Sequence, residues 1–120
     1  MYLFVYGSLL SFNSRGYMLK GSKLIGEAVL EDFGLYEVDW YPGIVPRRGS
    51  KVRGELYEVS EELLREIDEY EGILYERRKV RVSLEGGKMV EAWTYVYLGE
   101  VEEERYIPFD LLPWREKRSF

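Results

Sequence analysis

An α+β fold is predicted for this 120-residue chain by three features of its sequence. Several short runs have strand character while one segment alone reads convincingly as a helix, which argues against alternating βαβ units. The clearest hairpin has a second strand with apolar or aromatic residues on both faces, as in a barrel or a sheet wrapped by helices. Apolar residues make up 46% of the chain and aromatics 16%, enough for one core. At this length a single domain over residues 1–120 is expected.

Each element follows in order. Residues 2–6 are a compact β-prone run ending at Gly7-Ser8, which reads as a buried strand and a turn. Residues 12–21 read as a loop with at most a short helix. Segments 23–30, 33–38 and 51–59 have strand character, with Tyr41-Pro42-Gly43 and Pro46-Arg47-Arg48-Gly49 as turn punctuation between them. The helix is predicted from Ser60 to Glu71. Ser60 suits the N-cap, Glu61 and Glu62 favour the positive dipole end, and Gly72 supplies the left-handed position that ends it. Residues 78–84 and 89–98 flank Glu85-Gly86-Gly87-Lys88 as a hairpin. In its second strand Val90, Ala92, Thr94, Val96 and Leu98 share one face, and Trp93, Tyr95 and Tyr97 the other. Residues 105–120, with Pro108, Pro113 and Trp114, are expected to pack as an irregular strap.

Composition removes several kinds of chemistry. The chain has no Cys and no His, which excludes disulfides, thiol nucleophiles, Ser-His-Asp arrangements and Zn sites built on those residues. Acid–base work must rest on carboxylates, Tyr, Lys, backbone groups or the substrate itself. A net charge of −5 argues against a nucleic-acid partner. The one basic run, Arg77-Arg78-Lys79-Val80-Arg81, lies in a predicted strand and splits across two faces. No apolar stretch approaches the ~18 residues of a transmembrane helix, and the N-terminus lacks a signal-peptide pattern, so a cytoplasmic location without membrane contact is expected. Glu100-Val101-Glu102-Glu103-Glu104 lacks the spaced pattern of a Ca²⁺ loop and reads as a solvated turn, so no metal ligand is assigned. Trp93, Tyr95 and Tyr97 read as core or wall rather than a stacking platform; Tyr75 and Arg77 read as packing and an ion pair, or else as side chains that line a site or orient a substrate.

One carboxylate does not fit its helix. At about 100° per residue, with Leu63 near 0°, the apolar Leu63, Leu64, Ile67 and Tyr70 form a stripe centred at roughly 30°. Glu71 falls near about 80°, roughly 50° from that centre, whereas Glu61, Glu62, Arg65, Asp68 and Glu69 lie further round. Desolvation and the negative dipole end would both raise its pKa, from about 4.3 toward roughly 6–7, the range a general acid or base needs at neutral pH. A frayed helix end reaching water, or pairing with Arg77 or Arg78, accounts for the same position.

The turn after the first strand is the second candidate. Tyr6, Gly7, Ser8 and Leu9 place successive backbone N–H groups at a mouth of the sheet, where such a nest binds carboxylates and developing oxyanions. An ordinary strand-to-loop turn has the same sequence. No phosphate-loop pattern occurs.

Taken together, these motifs have a known counterpart. Phe4-Val5-Tyr6-Gly7-Ser8-Leu9 resembles the Y-G-[ST]-L signature of the γ-glutamylcyclotransferase-like (AIG2-like) family. Asp68-Glu69-Tyr70-Glu71-Gly72-Ile73-Leu74-Tyr75-Glu76-Arg77 is similar to that family's second motif, D-x-x-E-G followed by Tyr and Arg. The strand Gly54-Glu55-Leu56-Tyr57, Tyr41-Pro42-Gly43 and the late aromatic strand agree in order and separation, so the resemblance covers most of residues 3–98. Phe12 departs from it, since many members carry Gly at that place in the loop.

The resemblance implies a small mixed, mostly antiparallel, partly closed β-barrel with one main flanking helix. It implies a substrate loop at Tyr6, Gly7, Ser8 and Leu9, and an acid–base glutamate at Glu71. The reaction implied is release of 5-oxoproline from a γ-glutamyl amine or amino acid by attack of the substrate's own α-amine, with no cofactor. A reading from another class is a non-catalytic module that holds a small amino-acid-like ligand on the same loop. That module would have no need of a carboxylate on the apolar side of a helix. The leaving group and the oligomeric state are not read from the sequence.

Overall fold

Alternation along the first strand decides how the layers are arranged. In the computed structural model, which describes residues 1–117, β1 (Tyr2–Val5) sends Phe4 to one core and Leu3 and Val5 to another. The strands β2 (Lys23–Glu37), β3 (Pro42–Glu58), β4 (Tyr75–Leu84) and β5 (Met89–Tyr97) complete a ring with β1. Around that ring β3 pairs with β1, β1 with β5, β5 with β4, β4 with β2, and β2 again with β3. Only the β1–β5 contact is parallel. The ring is closed, a five-stranded mixed barrel, with the short β6 (Tyr106–Ile107) added outside it along β2.

The two cores follow from that closure. Phe4, Leu30, Leu35, Ile44, Val52, Leu56 and Val82 fill one cluster, and Leu112 and Trp114 of the tail pack into it. The other lies under the helix α1 (Glu61–Glu71), where Leu64 and Ile67 meet Leu3, Val5, Leu10, Val59 and Tyr95. Ser60 caps α1 by accepting from the Leu63 N–H at 3.1 Å, and Gly72 ends it at φ 72° with its N–H on the Asp68 carbonyl. The predicted helix and hairpin are therefore present, the latter closed by Leu84 and Lys88.

Five expectations are corrected. Segments 23–30 and 33–38 are one strand, β2, interrupted by a bulge between Glu31 and Phe33. Opposite it, Pro46-Arg47-Arg48-Gly49 is no turn: β3 runs through it, because Asp32 adopts φ 64° and its carboxylate accepts the Gly49 N–H at 3.0 Å. The turn lies earlier, where the Val38 N–H reaches the Tyr41 carbonyl, and Pro42 and Gly43 already belong to β3. Leu98 lies beyond β5 and is exposed. The tail is more regular than a strap, since Tyr106 and Ile107 pair with Tyr36 and Leu35; residues 118–120 of that call lie outside the described residues. Among the described residues no helix is long and apolar enough to cross a membrane.

Candidate active site

The end of β1 and the end of α1 open into one cleft of about 200 Å³. Tyr6, Gly7, Ser8 and Leu9 line one side of it and Glu71 another, with Trp40, Tyr41, Pro42, Tyr70, Leu74, Tyr75 and Tyr95 completing the wall. All five residues singled out from the sequence thus face the same space.

The loop is held from outside the cleft, which leaves its amides unused. The Leu10 N–H closes a turn on the Gly7 carbonyl at 3.0 Å, and Asn13 Nδ2 donates to the same oxygen at 2.9 Å. The Arg15 N–H reaches the Ser8 carbonyl, and the Ser11 N–H and hydroxyl both donate to the Glu55 carboxylate. The amides of Gly7, Ser8 and Leu9 have no acceptor among the described residues, and they sit at the cleft wall. Unpaired N–H groups in series are the composition of an anion nest. Gly7 serves packing here: a Cβ would stand 2.9 Å from Pro42 Cγ, so the loop lies against the start of β3 only because position 7 has no side chain. Ser8 Oγ and the Tyr70 hydroxyl are 2.9 Å apart, which ties the loop to α1.

Glu71 is half-buried, and burial pushes its carboxyl from 4.5 up to about 7. Desolvation is the sole cause of that shift. The partners that would have reversed it are committed elsewhere: Arg77 binds Asp68 through Nε at 2.8 Å and Nη2 at 3.1 Å, and Arg78 pairs with Glu76. Glu71 lies within α1 and has no ion pair among the described residues. Three phenols share its surroundings. Tyr6, Tyr75 and Tyr95 are each pushed above the usual tyrosine range, first by burial and in part by the Glu71 charge. They stay protonated, and all three hydroxyls are already donating: Tyr6 to the Tyr95 carbonyl, Tyr75 to the Pro42 carbonyl, Tyr95 to Asp68. Glu71 is the one lining group that titrates near neutrality.

Tyr75 and Arg77, each open from the sequence to lining a site or to structural packing, part here. Arg77 makes the expected ion pair, but Tyr75 lines the cleft. Tyr41, expected as turn punctuation, and Trp40, not singled out in the sequence, form wall; Tyr70, expected in the apolar stripe, stands at the mouth. The signal available for them was the aromatic character of a turn, Trp40-Tyr41, beside a Pro-Gly pair. Glu103 of the acidic turn pairs with Arg47 at 2.7 Å, and no acidic cluster able to hold a metal occurs among the described residues.

A closed mixed barrel with one helix is the architecture of a known class. The chain belongs to the gamma-glutamyl cyclotransferase, AIG2-like family, whose sequence profile matches residues 3–116. It is 43% identical over 102 residues to the protein MJ1514 of Methanocaldococcus jannaschii, covering 80% of this chain and 83% of that one. It is 32% identical to the gamma-glutamylcyclotransferase family protein YtfP of Escherichia coli strain K12, over 85% of this chain and 87% of the relative. Among solved structures, an AIG2-like protein of Mus musculus superposes with a TM-score of 0.75 at 28% identity, over 90% of this chain and 84% of that one.

Proposed function

We propose that this protein is a cofactor-independent γ-glutamylcyclotransferase that converts a γ-glutamyl amine or γ-glutamyl amino acid to 5-oxoproline and the free amine, with Glu71 as general base and then acid. The observation that carries the reading is the meeting, in one small cleft, of a carboxyl raised to about 7 and the unpaired amides of Gly7, Ser8 and Leu9.

The nucleophile belongs to the substrate, so a chain without His or Cys suffices. The amides of the loop hold the substrate α-carboxylate and leave its α-ammonium beside Glu71. The Glu71 carboxylate takes one proton from that ammonium. The freed amine attacks the γ-carbonyl carbon, forming the ring C–N bond and a tetrahedral oxyanion, which N–H donors stabilise by roughly 3–4 kcal/mol. As the intermediate collapses, Glu71 returns the proton to the departing nitrogen and the old C–N bond breaks; the second proton on the ring nitrogen passes to the released amine, which leaves as an ammonium and the ring as the neutral lactam. Electrons and protons balance without a redox partner. Closure of a five-membered ring from a folded substrate supplies about 7–11 kcal/mol through effective molarity. A base with a pKa near 7 is half ionised at neutral pH, and both of its roles are then accessible.

The test is incubation with a panel of γ-glutamyl compounds and measurement of 5-oxoproline. Turnover by the native chain and a loss of about 10²–10⁴-fold in Glu71→Gln, with unchanged circular dichroism, is the expected result. Ligand binding without any 5-oxoproline would leave the binding-module reading instead.

A further inference from the structure

The cleft is too small for a whole substrate, and its wall is uneven in what it offers to charge. About 200 Å³ lies below the ~300–1,000 Å³ of sites that enclose drug-sized ligands, so it takes a glutamyl unit and leaves the rest of the substrate at the mouth. Two large apolar side chains stand exposed at that mouth: Trp40, 69% exposed, and Leu74, 47%. Trp40 meets Tyr41 edge-on at 5.1 Å, and Tyr41 lies 6.5 Å from Tyr75, so an aromatic row runs from solvent into the cleft. Exposed Trp of this kind is costly to hydration and suited to covering an apolar ligand group.

Among the described residues, no Lys or Arg lines the cleft. Arg15, whose guanidinium carbon is 5.9 Å from the Tyr70 ring centroid and which donates to Tyr17, is not part of that wall. On the proposed reaction the glutamyl α-carboxylate already uses the loop amides. A second carboxylate, on the leaving group, would meet no cation among these lining residues, only aromatic carbon, the Ser8 and tyrosine hydroxyls and the repelling Glu71 carboxylate. We propose that the preferred substrates carry an uncharged apolar leaving amine, aromatic or branched, and that Trp40 is the residue that selects it. This rests on the γ-glutamylcyclotransferase reading of the cleft.

The matched pair γ-glutamyl-2-phenylethylamide and γ-glutamylphenylalanine, which differ by one carboxylate, tests it, with γ-glutamylmethylamide as the minimal substrate. The phenylethylamide should exceed the phenylalanine compound in kcat/KM by about tenfold or more. Trp40→Ala should shrink the preference for phenylethylamide over methylamide by about tenfold through KM, and Trp40→Phe should keep most of it. Equal turnover of the matched pair, or a preference unmoved in Trp40→Ala, overturns the assignment while the cyclotransferase reading stands. Failure to release 5-oxoproline from any of the three, the methylamide included, overturns both.

Discussion

Asp68 and Glu71 stand three residues apart on α1 and meet opposite surroundings. The Asp68 carboxylate accepts two hydrogen bonds from Arg77 and one from the Tyr95 hydroxyl. Arg77 in turn lies 4.5 Å over the Trp93 ring, which Lys79 also contacts at 4.5 Å. That side of the helix is a clamp of satisfied charges against β4 and β5. On the cleft side Glu71 has aromatic and aliphatic neighbours and, among the described residues, no ion pair. The number of donors facing a carboxylate, rather than its place on the helix, separates a group that fastens α1 from one whose proton is available near neutral pH.

The largest effect that would sharpen this contrast is in Glu71→Gln. Its activity should fall by about 10²–10⁴-fold while its stability rises, a combination a structural residue does not give. The sign follows from linkage. The folded carboxyl titrates at about 7 against 4.5 when unfolded, so between those values the native state holds more protons and native stability declines as pH climbs. Above pH 7 the penalty is complete, at most about 3 kcal/mol, and the neutral amide removes it. Thermal melts should show the variant more stable than the native chain at pH 8 and equal to it at pH 4; equal melts at both would break the contrast.

Asp68→Ala should do the reverse. Arg77 and the Tyr95 hydroxyl lose their acceptor, and because the pair is part-exposed the loss is about 1–2 kcal/mol. Denaturant unfolding should report that loss, with residual activity well above that of Glu71→Gln; a variant as stable as the native chain yet equally inactive would place Asp68 in the chemistry instead. A smaller effect is expected in Tyr70→Phe, which cuts the link to Ser8. A bond of this exposed kind contributes roughly 0.5–1 kcal/mol, so KM should rise about two- to fivefold, with a smaller change in kcat.

Much of this arrangement was legible beforehand because it is local. The 3.6-residue period marked Leu64 and Ile67 as buried and Glu71 as misplaced, and Ser60 and Gly72 bounded the helix through their own backbone chemistry. Gly86 and Gly87 marked the hairpin for the same reason. What was not legible depends on distant partners. Residues 46–49 look like a turn until Asp32, on another strand, supplies the acceptor that makes them a bulge. The parallel contact of Leu3 with Trp93 and the insertion of Trp114 into the barrel core are likewise set by long-range closure. In the cleft, the loop and the acid were recognisable as motifs, whereas Trp40, Tyr41 and Tyr75 became wall only because β3 begins at Pro42 beside Gly7. The aromatic wall of the cleft is therefore the part a linear reading sees least.

Burial holds the Glu71 proton to neutral pH, and a carboxyl titration tests this directly. In protein labelled with ¹³C at glutamate side chains, the resonance that disappears in Glu71→Gln is followed by NMR from pH 3 to pH 9. A midpoint at about 7 is the predicted result. A midpoint at the ordinary 4.5 would mean that water reaches the carboxylate and that Glu71 is no neutral-pH base.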